Sequence, residues 1–371
     1  MIDNSNIKKL GFGLMRLPKN ESGYDFDVLN KMVDAFMSKG FTYFDTAYVY
    51  DDGGSEEAFK KAVARRYPRE SYLLADKMPV WCCKNREDLE RIFNTSLERT
   101  SAGYFDFYLN HSLSKDKLEK IDELGVFEFI QKKKEQGFIK HAGFSFHDSA
   151  EVLDEILTKH PEQEFVQLQI NYYDWLSDNV QSKKCYDVAR KHGKPVIIME
   201  PVRGGSLAVL PDKAREILLD AEPEMSIASW ALRFASSLDG VITVLSGMSD
   251  LSQMTDNLSF MDSQKEFTEK EFKKVMDVAD ILNKIPTVPC TSCGYCLEGC
   301  PMNIKINKIF SVYNDHLKYN NKLKTKYEYN EVVNSGSGSA GDCIECGACA
   351  SVCPQHIDIP EKLREFNESV M

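Results

Sequence analysis

The sequence lacks two features that would mark particular protein classes: a long hydrophobic run and an excess of positive charge. No stretch reaches the roughly 18 apolar residues that a transmembrane helix requires. The first residues carry no signal-peptide pattern, so we expect a cytoplasmic protein. The 371-residue chain has a formal net charge of −11, which disfavours nucleic acid and anionic membranes as partners.

Cysteine is scarce over most of the chain and crowded at its end. Of the 11 cysteines, only Cys82, Cys83 and Cys185 precede residue 290. A disulfide framework would distribute its cysteines more widely and would require an oxidising compartment. Metal ligation is therefore the better interpretation of the C-terminal group.

Short apolar runs alternate with amphipathic segments between residues 10 and 260. Runs of this length and composition are typical of buried parallel strands, and the segments between them keep helical spacing. The alternation predicts an α/β fold, a (β/α)8 TIM barrel. A doubly wound open sheet is the alternative, but no glycine-rich fingerprint follows the first run. The eight predicted strands are Gly11–Leu17, Phe41–Ala47, Tyr72–Ala75, Phe105–Leu109, Ala142–Phe146, Phe165–Ile170, Val196–Met199 and Val241–Leu245.

Two prolines separate the barrel from the cysteine-rich part. A predicted helix over Glu266–Leu282 leads to Pro286 and Pro289, and the cysteines begin directly afterwards. We therefore assign residues 1–281 to the barrel domain and residues 282–371 to a second, largely helical domain. Within that domain, the serines and glycines of Asn334–Gly341 predict a flexible loop.

The C-terminal cysteines form two copies of the motif Cys-x2-Cys-x2-Cys-x3-Cys-Pro. This is the bacterial ferredoxin motif, in which the fourth cysteine ligates the cluster of the other copy, so two [4Fe–4S] clusters are predicted. Zinc is the alternative for Cys-x2-Cys pairs, but zinc requires neither the third cysteine nor the Cys-Pro ending. The predicted ligands are Cys290, Cys293, Cys296 and Cys353 for one cluster, and Cys343, Cys346, Cys349 and Cys300 for the other.

Four polar residues lie at or just beyond the ends of predicted strands, where a TIM barrel places its catalytic groups. Asp45 lies near the end of the strand Phe41–Ala47, Lys77 and His111 each follow a predicted strand by two residues, and Tyr50 follows Asp45 by five. Each has an ordinary alternative: a helix-capping carboxylate, a solvated lysine or a core histidine.

Taken together, these residues and their surroundings resemble the aldo–keto reductase family over about residues 10–260. The resemblance implies that Tyr50 donates a proton to a carbonyl and that Lys77 lowers the pKa of its phenol. Asp45 would anchor Lys77, and His111 would orient the carbonyl. Tyr48 competes for the donor role, but the family spacing selects Tyr50. The matching stretches are Leu10–Met15, Phe44–Tyr50, Ser55–Glu56, Lys77, Asp106–His111, Gly143–Ser145, Val166–Gln167, Glu200–Pro201, Leu245–Gly247 and Asn257.

The resemblance also implies a nicotinamide cofactor, NAD(H) or NADP(H). Ser145 and Gln167 would hold its carboxamide. The sequence departs from the family at two positions, because Phe146 replaces the expected asparagine and Met199 replaces the aromatic residue that stacks on the ring. Methionine can still pack against a ring face.

The other predicted cofactor contacts belong to the nucleotide end. Ser246, Gln253 and Asn257 lie near the expected adenosine, in a stretch without the lysine or arginine that would bind a 2′-phosphate, so a preference for NADPH is not expected. Arg203 either reaches the pyrophosphate or is a solvated loop charge.

Three functions remain open from the sequence. The first is a nicotinamide-dependent enzyme that reduces a small-molecule carbonyl or oxidises an alcohol, fused to an iron–sulfur electron-transfer module. In the second, the clusters receive electrons from an external carrier and feed flavin or another cofactor in the barrel. In the third, the clusters are structural or redox-sensing. The lysine-rich segment Lys318–Lys326 is either a docking site for an acidic carrier or a solvated helix face, and Trp81 either lines a substrate pocket or caps the barrel rim.

Overall fold

The computed structural model describes residue 2 and residues 6–262, 265–319 and 322–370. The chain divides into two compact units. The first runs to Pro201 and resumes over Ala228–Phe272, and the second contains Val202–Ile227 and the chain from Lys273 onward. The predicted barrel domain includes Val202–Ile227, whereas the structure groups this segment with the C-terminal part.

The first unit contains a closed barrel of eight parallel strands in the order β1-β10-β9-β8-β7-β6-β5-β4. The predicted (β/α)8 fold is confirmed, and the doubly wound alternative is wrong because β1 pairs with both β10 and β4. Strands β2 and β3 form a separate antiparallel pair. The strands are β1 Leu10–Gly13, β2 Lys19–Asn20, β3 Gly23–Tyr24, β4 Tyr43–Asp45, β5 Leu73–Met78, β6 Phe105–Leu113, β7 Ile139–Phe146, β8 Phe165–Gln169, β9 Val196–Met199 and β10 Val241–Ser246.

Helices follow the barrel strands and make up most of the second unit. Helix α1 shows why the sequence folds this way: Asp25 caps it by accepting a 3.0 Å hydrogen bond from Val28 N, and Met32, Val33 and Phe36 form its buried face. The helices are α1 Phe26–Ser38, α2 Gly54–Phe59, α3 Arg86–Thr100, α4 Lys115–Leu124, α5 Val126–Glu135, α6 Ala150–Lys159, α7 Ser182–Lys191, α8 Asp212–Leu219, α9 Ile227–Ser236, α10 Leu251–Met261, α11 Glu269–Asn283, α12 Ile306–Tyr319, α13 Lys322–Asn334, α14 Ala348–Ser351 and α15 Ile359–Val370.

The second unit has its own hydrophobic core. Phe310, Leu363 and Phe366 are completely buried, and the Tyr313 and Phe366 rings pack with centroids 5.3 Å apart. Such a core shows that α12 and α15 are held by apolar packing as well as by any bound cluster.

The segment Val202–Ile227 packs against the first cysteine motif. Gly204 has φ +65°, and a Cβ atom there would lie 2.3 Å from the backbone oxygen of Thr291. Only glycine allows both this conformation and this approach.

The serine- and glycine-rich loop is packed, contrary to the prediction of a flexible linker. Gly338 N donates a 3.0 Å hydrogen bond to Asn303 O, and Lys305 N donates a 2.8 Å bond to Ser337 Oγ. Small residues here permit close contact with the first motif rather than free movement. In the described part of the chain, no helix combines the length and the apolar character needed to cross a membrane.

Candidate functional site

The four residues predicted to be catalytic converge at the carboxyl ends of β4, β5 and β6. Asp45 ends β4, Lys77 lies near the end of β5, His111 lies in β6, and Tyr50 begins a short 3-10 turn after β4. All four are at least nine-tenths buried. The Tyr50 ring lies 4.8 Å from Lys77 Nζ and 5.9 Å from the His111 ring, measured to ring centroids.

Lys77 is held in place beneath Tyr50 by two short hydrogen bonds. Its Nζ donates to Asp45 Oδ1 and to the backbone oxygen of Thr46, each at 2.6 Å. Burial raises the pKa of Asp45, and the adjacent Lys77 charge opposes that rise. The competing phenol, Tyr48, instead packs against Arg99, whose guanidinium carbon lies 4.8 Å from the Tyr48 ring centroid. Of these two phenols, that of Tyr50 is the one with a buried ammonium against its ring.

His111 is held in its neutral form. Burial lowers its pKa well below the usual value, and the charges of Lys77, His147 and Lys117 lower it further. A neutral imidazole keeps one ring N–H donor, which is what orienting a carbonyl oxygen requires.

The residues predicted to hold nicotinamide lie at neighbouring strand ends. Ser145 in β7 pairs with Gln167 in β8, and Gln169 two residues on pairs with Met199 in β9. Gln167 Nε2 lies 3.5 Å from Met199 Sδ, and its buried Oε1 accepts no hydrogen bond from the described residues. A carboxamide N–H2 would satisfy that oxygen, so Gln167 fits the group. Ser145 Oγ accepts a 2.7 Å hydrogen bond from Ser112 N, which leaves the Ser145 hydroxyl proton available to donate.

The residues predicted for the adenosine end lie around the start of α10. Asn257 Nδ2 donates to Ser246 Oγ at 3.0 Å, and Gln253 Oε1 accepts from Ser249 N at 2.9 Å. These bonds order the turn that joins β10 to α10.

Two arginines change the expected picture of phosphate binding. Arg203 is 6% exposed and lies in the second unit. Burial raises the pKa of Cys290 and lowers that of Lys318, and the Arg203 charge acts to lower both. The interpretation of Arg203 as a solvated loop charge is therefore wrong, because the segment that contains it packs on the cysteine motif. Arg16, which the sequence analysis missed, lies in the turn after β1. Its Nη1 lies 3.7 Å from where a Cβ of Gly247 would be.

The eight predicted cluster ligands surround two separate cavities in the crossed arrangement. Cys290, Cys293, Cys296 and Cys353 line one cavity. Cys300, Cys343, Cys346 and Cys349 line the second.

The chemistry of both cavities fits iron–sulfur clusters. Each contains four thiols within largely apolar walls, and soft thiolates are the ligands that such clusters use. Ser292 N and Ile304 N lie 3.4 Å from Cys290 Sγ and Cys300 Sγ, and N–H donors of this kind stabilise thiolate charge.

The remaining predicted features divide between the two units. Trp81 is 38% exposed, and its ring centroid lies 5.0 Å from that of His111, so it lies beside the candidate catalytic residues. Cys83 is buried, and burial raises the pKa of its thiol to about 11. In the lysine-rich segment, residues 320 and 321 lie outside the described residues, and burial lowers the pKa of Lys318.

Comparisons with known proteins match both the barrel part and the cysteine-rich part of the chain. A model of the aldo/keto reductase family matches residues 9–280, and a model of a 4Fe-4S dicluster domain matches residues 289–357. The uncharacterized oxidoreductase YqkF of Bacillus subtilis is 23% identical over 303 residues, which cover 72% of this chain and 91% of that protein. The aldo-keto reductase str7 of Strobilurus tenacellus is 27% identical over 216 residues, which cover 56% of this chain and 61% of that protein.

Solved structures show the same fold. The aldo-keto reductase AKR11C1 from Bacillus halodurans superposes with a TM-score of 0.60 at 23% identity, covering 73% of this chain and 92% of its own. An aldo/keto reductase from Klebsiella pneumoniae in complex with NADP and acetate gives 0.61 at 18% identity, covering 74% and 92%. The resemblance noted in the sequence is confirmed. The chain belongs to the aldo/keto reductase family of NAD(P)H-dependent oxidoreductases and carries a C-terminal 4Fe-4S dicluster domain.

Proposed function

We propose that the barrel reduces a small-molecule carbonyl to an alcohol, with Tyr50 as proton donor. The observation that carries this proposal is the buried Lys77–Asp45 pair beneath the Tyr50 ring. A phenol near pKa 10 is a poor acid at neutral pH, and an ammonium against its ring favours the phenolate that forms when the proton leaves. His111, held neutral, orients the carbonyl oxygen toward the Tyr50 hydroxyl.

The nicotinamide supplies a hydride to the carbonyl carbon when it is bound. Gln167 and Ser145 would hold its carboxamide through the buried Gln167 Oε1 and the Ser145 hydroxyl. The Arg16 guanidinium lies beside Gly247, with its Nη2 3.5 Å from Glu200 Oε1, and we expect it to contribute to binding of the nucleotide phosphates. The stretch from Ser246 to Asn257 contains no lysine or arginine, so we expect NADH to serve as well as NADPH.

The test uses the cluster-loaded protein under anaerobic conditions, with 4-nitrobenzaldehyde as an activated carbonyl and NADH or NADPH deuterated at C4. Deuterium is expected at the alcohol carbon. Tyr50→Phe is expected to bind nucleotide normally and to lose about 10²- to 10⁴-fold in turnover. Tyr48→Phe is the matched control and should retain turnover. Full activity in Tyr50→Phe would contradict the assignment.

We also propose that the second unit binds two [4Fe–4S] clusters in the crossed arrangement and serves as an electron-transfer module. The two cysteine-lined cavities support this proposal. The experiment is an anaerobic optical titration with NADH and then NADPH while cluster absorbance and any flavin bands are followed. Bleaching would show that electrons pass between nicotinamide and clusters. Nucleotide binding without bleaching would favour a structural or sensing role.

A further inference from the structure

A lysine outside the predicted catalytic set lies at the barrel mouth, next to His111. Lys117 is in the first turn of α4, and its Nζ donates to Ser112 O at 2.7 Å and to Ser112 Oγ at 3.2 Å. Ser112 follows His111 directly and has φ +56°, where the pairing of β6 with β7 shifts register. A bulge of this kind redirects side chains and is common next to active sites.

The Trp81 ring lies close to both Lys117 and His111. The Lys117 ammonium lies 5.4 Å from the Trp81 ring centroid, and the Trp81 and His111 ring centroids lie 5.0 Å apart. The indole is partly exposed, so this group faces an accessible part of the mouth. The Trp81 indole is thus close to both His111 and Lys117, within one aromatic ring of each.

The charge of Lys117 is not paired with a counter-ion in the described part of the chain. No carboxylate there lies within ion-pair distance of its Nζ, and Asp116 and Asp148 act on it only at longer range. Asp148 already accepts hydrogen bonds from the backbone N–H groups of Lys115 and Ser149. Burial lowers the pKa of Lys117, which reflects the cost of holding this charge away from water.

A buried lysine elsewhere in the chain shows how such a charge is usually stabilised. Lys133 forms a 2.6 Å ion pair with Glu90. The Lys117 ammonium, by contrast, has no paired carboxylate among the described residues, so a carboxylate on a bound ligand would be the group that neutralises it.

We propose that Lys117 and Trp81 form a subsite for a carboxylate on the substrate, separated from the reacting carbonyl by about the length of an aromatic ring. A single ammonium matches the single charge of a carboxylate, and the indole face matches an apolar spacer. The inference rests on the proposed carbonyl reduction and specifies its substrate class as oxo-carboxylic acids.

The test compares 4-carboxybenzaldehyde with its neutral methyl ester, methyl 4-formylbenzoate. In the wild type, we expect kcat/KM for the acid to exceed that for the ester at least tenfold. Lys117→Met should remove this preference, mainly by raising KM for the acid relative to KM for the ester. Lys117→Arg should restore part of the preference, and the exposed neighbour Lys115→Met is the matched control.

Two results would overturn the subsite: equal kcat/KM for acid and ester in the wild type, or parallel loss of both in Lys117→Met. Binding of 4-carboxybenzaldehyde, followed by tryptophan fluorescence, separates this inference from the proposed function. Binding that depends on Lys117 without turnover would support the subsite and refute the reduction. Turnover of both aldehydes without discrimination would support the reduction and refute the subsite.

Discussion

Substitutions at the buried Lys77–Asp45 pair should have separable effects on stability and on catalysis. Lys77→Met deletes a fully buried ammonium and leaves the Asp45 carboxylate buried with neither of its oxygens paired, because Asp45 Oδ2 already has no hydrogen-bond partner among the described residues. Breaking a buried ion pair from one side costs about 3–5 kcal/mol. For a domain of this size, 1 kcal/mol corresponds to roughly 2–4 °C in Tm, so the loss should be roughly 6–20 °C.

The double variant Lys77→Met/Asp45→Leu removes both charges together. Replacing a buried pair with apolar residues of similar volume is often neutral in stability, so the double variant should recover most of the lost Tm. It should not recover turnover, because nothing then favours the Tyr50 phenolate. Thermal unfolding and deuteride transfer to 4-nitrobenzaldehyde measure the two effects. A single variant as stable as the wild type, or a double variant that regains activity, would refute this reasoning.

Three further predictions concern other parts of the molecule. Burial holds the pKa of His111 low, so below about pH 6.5 the unfolded chain takes up a proton that the native state excludes, and native stability falls as the pH falls. Between about pH 7.5 and 5.5 the wild type should lose about 1.4 kcal/mol that His111→Gln keeps, as measured by thermal unfolding at each pH. Cys300→Ala should leave the same residual electron paramagnetic resonance spectrum as Cys346→Ala, and Cys293→Ala should leave the other spectrum. Gly204→Ala should lower the Tm of the second unit by several degrees, because its Cβ would lie 2.3 Å from a backbone oxygen.

Each of these has an outcome that would count against it. An equal loss of stability at low pH in His111→Gln would assign the pH dependence to other groups. A spectrum shared by Cys300→Ala and Cys293→Ala would refute the crossed ligation. Gly205→Ala is the control for Gly204, since Gly205 also has positive φ but a Cβ there would meet nothing within 4 Å. Equal destabilisation by both would show that backbone conformation, not the close contact, is responsible.

The barrel could be predicted from the sequence because its strands are buried on both faces and therefore appear as continuous apolar runs. The runs locate strands better than they locate strand ends. The run Gly11–Leu17 continues past β1 into a 3-10 turn over Leu14–Arg16, where buried Leu14 maintains the apolar pattern after strand pairing has stopped.

The candidate site could be predicted only where residue type and strand position coincide. Lys117 gave no such signal, because a lysine in the first turn of a helix normally faces solvent, whereas this one bonds to Ser112 at the bulge. The electrostatic effect of Arg203 on Cys290 was missed for a similar reason. It joins segments far apart in the sequence, and no local pattern encodes such a pairing.

The second unit is built from two stretches of chain separated by Ala228–Phe272, and this order affects its synthesis. Gly204 leaves the ribosome well before Thr291, the residue against which it packs, and β10 and α10 are made in between. The segment Val202–Ile227 therefore lacks its packing partner, the first cysteine motif, until that motif has been translated. A cut at the apparent domain boundary would divide this unit rather than release it. The iron–sulfur part is interleaved with the barrel along the chain, not simply joined to its end.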